Sequence, residues 1–164
     1  MAPAPGTKKS HDLRPVGISA KSPFTAFRKL FECVKINDFD AMADTIADDC
    51  EWVLMSDMRK FKGKQEVVAF CQARKLACEE EPEIIFDVAT SEWGVFEYLN
   101  RGTVTANLSA LAAASGWKFP MDPGTHAGRQ YAVRVCFVYR VNLEGKIYML
   151  NEYLDLASLM SQFA

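Results

Sequence analysis

Phe24, Phe27, Phe31 and Val34 recur at three- and four-residue intervals behind Ser22-Pro23, which lays one apolar stripe along a helix. Asn37-Asp38 caps a second short helix that carries Phe39, Met42 and Ile46 on one face and ends at Asp48-Asp49. CEWVLMS reads as a first strand, and a turn through KFKGK leads into QEVVAFCQARKLACEEE. There Val67, Cys71 and Arg74, or Val68, Cys71 and Lys75, keep a helical period until Pro82 stops the third helix. Beyond it the period falls to two: EIIFDVA, VFEYLNRGTVTA, RQYAVRVCFVYRVN and KIYMLNEYLD are strands, the last two joined by the tight turn LEGK, and LASLMSQFA closes the chain as a helix. Helices gathered first and strands later predict an α+β fold, with helices over one face of a mostly antiparallel sheet.

Residues 1–23 hold Pro3, Pro5, Pro15 and Pro23 among scattered Gly, Ser and Lys, and read as a flexible tail before a single domain over 24–164. A 49% hydrophobic, 12% aromatic chain of 164 residues is long enough to close one core around a pocket. Its 19 basic and 21 acidic residues leave a net charge of -2, which offers no general attraction to nucleic acid or an anionic membrane. No stretch approaches the roughly 20 apolar residues of a membrane span, and the N-terminus has no apolar signal core, so a cytoplasmic protein is expected. The five cysteines fall in apolar segments without metal spacing and read as inert core thiols in a reducing compartment. With two histidines and no glycine-rich phosphate loop, no metal and no cofactor are expected.

Three segments together, NDFDAMADTIADDCEW, KGKQEV and GRQYAVRVCFVYRVNLEGKIYMLNEYLDLASL, resemble the nuclear transport factor 2-like superfamily. Within it they are most similar to the branch of limonene epoxide hydrolases and SnoaL-like polyketide cyclases, over about Phe24 to Phe163. The resemblance implies a strongly bent sheet wrapped on helices into a cone, a blind apolar pocket on its concave side, and pairing of two copies through the sheet. It also implies a role for Glu152, which matches the acidic residue that faces the pocket and holds or activates water. Strand alternation then puts Tyr148 and Leu150 on the same face as Glu152.

The family's arginine on an earlier strand matches Arg101, but Thr103 stands where its second carboxylate is expected, and Trp52 and Leu54 stand where the hydrolases hold water with tyrosine and asparagine. Glu152 with Arg101 is therefore either a base with its orienting cation or a structural ion pair. Glu97, on the strand face of Leu99, Arg101 and Thr103, either replaces the missing carboxylate or is an exposed strand-end residue. Trp52, Tyr98, Phe137 and Tyr139 are pocket lining or plain core. His126, in the long connection NLSALAAASGWKFPMDPGTHAG, is a surface histidine or reaches the pocket. Two functions follow. One is a cofactor-independent enzyme (cyclase, isomerase, dehydratase or epoxide hydrolase type) acting on a hydrophobic oxygenated small molecule; the other is a non-catalytic ligand-binding or dimeric assembly module.

Overall fold

The computed structural model describes residues 23–105, 113 and 126–163. The expected tail lies outside them except for Pro23, which opens helix α1 (Pro23–Lys35), and most of the long connection before His126 lies outside them too. Helix α2 (Phe39–Ala43) follows, with the Asp38 side chain accepting from the Ala41 N–H at its start. It is shorter than its apolar period suggests. Ile46, Asp48 and Asp49 belong instead to strand β1 (Ile46–Leu54), where Ile46 is buried and the two aspartates are exposed.

The KFKGK segment is more than a turn, because Arg59–Lys62 forms strand β2 against β1. Gly63, at φ 80, makes the sharp passage from β2 into helix α3 (Gly63–Ala77) in a backbone region closed to most side chains. The Glu66 side chain reaches back to the Lys62 N–H at 2.8 Å and supports that start. Pro82 does not stop α3. The helix ends at Ala77, and CEEEPEIIFDVA is strand β3 (Cys78–Ala89) on the sheet edge, where a missing N–H is tolerated.

Strands β4 (Trp93–Val104), β5 (Gln130–Val141) and β6 (Ile147–Leu154) complete a six-stranded sheet of order β2-β1-β6-β5-β4-β3, and helix α4 (Leu156–Ser161) follows. Among the described residues only the β1–β6 pair is parallel. The expected α+β architecture, a curved and mostly antiparallel sheet packed against helices, is the one observed. Phe27, Leu30 and Cys33 of α1 and Val67, Phe70 and Cys71 of α3 close the core over Phe96, Phe137 and Tyr139. Phe27 stacks on Tyr139 at 4.6 Å between ring centres. Among the described residues no helix is long and apolar enough to cross a membrane.

Candidate functional site

Glu152 points inward, fully buried among the inner-face residues of β6. Its register neighbours are Leu54 on β1 and Phe137 on β5, so an apolar wall surrounds the carboxylate on both sides. Two donors meet it. Trp52, two residues along β1 on the same face, gives its indole N–H to Oε2 at 3.0 Å. Arg74 of α3 gives Nη1 to Oε1 at 2.9 Å.

Arg74 continues the buried stripe of α3 formed by Val67, Phe70 and Cys71, and therefore reaches the sheet from the helix's core side. Its guanidinium also donates to the Tyr98 hydroxyl at 3.1 Å and to Glu80 Oε1 at 3.3 Å. Glu80 turns inward because β3 alternates: Glu79, Glu81 and Glu83 are exposed while Cys78, Glu80 and Pro82 are not. The same Oε1 accepts from Asn100 Nδ2 at 2.7 Å and from the Tyr131 hydroxyl at 3.4 Å. The result is a carboxylate, guanidinium, carboxylate row, fully buried at Glu152 and half-buried at Arg74 and Glu80.

That row forms the polar wall of a cavity of about 120 Å³. The rest of the lining is chiefly apolar and includes Leu54, Phe70, Val133, Val135, Leu159 and Phe163. A smaller cavity of about 50 Å³ lies behind the row, between α1 and the sheet, and shares Arg74 and Glu80 with the first. Burial raises the Glu152 pKa, against the opposing pull of Arg74 and of the Trp52 and Arg74 hydrogen bonds, while nearby Glu80 adds to the rise. Arg74 is held more firmly protonated than usual by Tyr98, Glu152 and Glu80, which outweigh its desolvation. Burial pushes the Tyr98 and Tyr131 hydroxyls up as well, so both act as neutral donors or acceptors. Two carboxylates around one guanidinium leave one negative charge in excess, and an apolar wall disfavours that charge.

Of the residues expected at the site, Glu152, Leu54 and His126 line the larger cavity, and Trp52, Tyr98 and Phe137 line the smaller one. Leu150 is fully buried but borders neither. Arg101 is not the cation beside Glu152. It is exposed and bonds Glu83 at 2.7 Å, because β4 turns Phe96, Tyr98 and Asn100 inward and leaves Glu97, Arg101 and Thr103 on the other face. Glu97 there meets Arg134 at 3.4 Å. Tyr148 is also turned away from Glu152: Ile147 and Met149 pair with the adjacent residues Val141 and Arg140, so Tyr148 is the extra residue of a bulge that resets the alternation. His126 is buried rather than at the surface, with its ring 5.7 Å from that of Phe163.

Arg74, Glu80, Asn100 and Tyr131 are the additions the structure makes. Arg74 and Glu80 carry a signal in the sequence, since each is a charge on an otherwise apolar or inward phase. Cys78 lines the larger cavity and Cys71 the smaller one, and desolvation raises both thiols; it pushes Cys50, in the core, up to about 12. Among the described residues no group of three or more His, Cys, Asp and Glu side chains is arranged to hold a metal ion.

The chain is thus an α+β domain whose curved sheet is closed by helices over a cavity walled by an acid-arginine-acid row. Residues 27–149 match the SnoaL-like domain family, and the chain belongs to it. Solved structures share the fold at low identity. A proposed polyketide cyclase from Xanthomonas campestris pv. campestris superposes with a TM-score of 0.71 at 18% identity, covering 89% of this chain and 100% of that one. An LEH-like epoxide hydrolase of M. tuberculosis gives 0.63 at 14% identity over 85% and 87%. An NTF2-like protein from Burkholderia thailandensis gives 0.65 at 17% over 87% and 98%. No curated protein matches the sequence.

Proposed function

We propose that the protein is a cofactor-independent enzyme that moves a proton on a small, hydrophobic, oxygenated substrate, with Glu152 as the proton carrier. One observation carries this: a fully buried carboxylate, held by Trp52 and Arg74, stands in the wall of a chiefly apolar cavity. Such a wall raises the carboxyl's affinity for a proton, which is what an acid-base group working near neutral pH needs. Arg74 fixes its orientation and, through Glu80, couples it to a second carboxylate, the partner that Thr103 could not supply. One acid of such a row can give a proton while the other takes one, as ring closure, isomerisation, dehydration and water addition to an epoxide all require.

A second reading has its own support. Both Glu152 oxygens already accept protein hydrogen bonds, as they would in a binding module whose polar row only holds the core together. In either case the outer sheet face, with Cys136, Val138 and Met149 between Arg134 and Arg140, is proposed to pair with a second copy.

Substitution of Glu152 separates the two. Glu152→Gln keeps the shape but turns an amide N–H toward Trp52 or Arg74, so it costs about 1–3 kcal/mol of stability under either reading. An enzyme also loses turnover of oxygenated monocyclic compounds by about a hundredfold or more while still binding them. A folded variant with unchanged turnover would remove Glu152 as the proton carrier, and a parent that binds these compounds without turning them over would leave the binding module as the function.

A further inference from the structure

Two residues that line the larger cavity each carry a buried polar atom with no hydrogen-bond partner among the described residues: Asn100 at Oδ1 and His126 at Nδ1. Asn100 is 1% exposed and His126 7%. Unpartnered polar atoms at such depth are uncommon, because each forgoes its bond to water without replacement. Asn100 cannot turn its amide to help itself, since Nδ2 is committed to Glu80 at 2.7 Å and a flipped amide would set oxygen against oxygen. Its free group is therefore an acceptor only. Asn100 bonds Glu80 of the row, whereas His126 packs against Phe163, whose ring in turn meets that of Tyr131.

We infer that the cavity selects a ligand bearing a hydroxyl or enol group, whose O–H donates to Asn100 Oδ1, and that His126 meets a second polar atom of the same ligand across an apolar body. A carbonyl, ether or epoxide oxygen cannot satisfy Asn100, because it brings no proton. Asn100 is thus a specificity-determining residue, and the ligand class is a small hydroxylated ring or chain: about 120 Å³ holds one small ring. This rests on the cavity being the ligand site, and it requires no turnover.

The test is calorimetric titration of the full chain with phenol, toluene and anisole, which share an aromatic ring of similar bulk and differ in donating ability. The unaltered protein is expected to bind phenol about tenfold or more tightly than either of the others, the scale of one buried acceptor gaining its partner. Asn100→Leu should erase that preference. At least one of the three dihydroxybenzenes should bind more tightly than phenol, and His126→Leu should remove the increment without changing phenol itself. Equal binding of phenol and toluene by the unaltered protein, or an undiminished preference in Asn100→Leu, would overturn the assignment. The three-compound comparison on the unaltered chain decides it even if Asn100→Leu fails to fold. A hydroxyl preference in an unaltered chain that turns over none of these compounds would remove the enzyme and keep the ligand class.

Discussion

Glu152 holds its proton more tightly in the folded chain than in the unfolded one, where the ordinary value is 4.5. The sign of the linkage follows. The native state binds the extra proton, so the contribution is fully present below 4.5 and is lost as pH rises through the folded value. Urea denaturation should therefore find that the stability of Glu152→Gln relative to the parent improves as pH climbs from 4.5; a constant difference would contradict a raised pKa. Trp52→Phe removes a hydrogen bond that lowers this pKa. It should cost about 1–3 kcal/mol and move the acid limb of any pH-activity profile upward. At this scale the sequence is legible where alternation has an anchor. Glu152 sits inward as expected, but on β4 the family resemblance sets Arg101 inward, whereas the bulk of Phe96 and Tyr98 against Glu97 and Leu99 points to the even-numbered face, the one observed.

Among the elements, β4, β5 and α4 all line the cavity. A Cβ added at Gly102 would lie 2.6 Å from the Tyr131 hydroxyl and 2.8 Å from the Glu79 carbonyl, and the backbone contact has no easy escape. Gly102→Ala should cost about 1–3 kcal/mol and, by displacing Tyr131 from the cavity wall, weaken ligand binding. Gly94→Ala, which crowds Tyr139 in the core instead, should lower the melting temperature comparably without that loss of binding. Helix α4 is held by Gln162, whose side-chain amide takes both the N–H and the C=O of Ala132 at 2.9 Å, where β6 has already ended opposite Val135. Gln162→Ala should speed amide exchange at Ala132 and along α4 by tenfold or more; unchanged exchange would mean that Leu159 and Phe163 alone hold the helix. Helices and strands were legible from their periods, but boundaries moved wherever tertiary pairing outweighed them, as at Ile46, at Arg59–Lys62 and at Cys78. The row itself was half legible: Arg74 lies on the α3 apolar stripe, yet nothing local says that Glu80 of β3 will meet it.

For the molecule as a whole, an outer sheet face carrying Trp93, Val138 and Tyr153 is expected to be covered by a second copy. Light scattering at micromolar concentration should give twice the chain's 18.4 kDa, and the mass of one chain would refute the pairing. The central claim, that the cavity is a proton-transfer site and Glu152 its carrier, is tested most directly by α-proton exchange. A monocyclic ketone shown to bind the cavity is held in heavy water, and loss of its α-proton signals is followed by NMR with the parent protein and with Glu152→Gln. The parent should accelerate exchange over solvent, and the folded, ketone-binding variant should fall about a hundredfold or more below it. Equal exchange by the two proteins would contradict the claim.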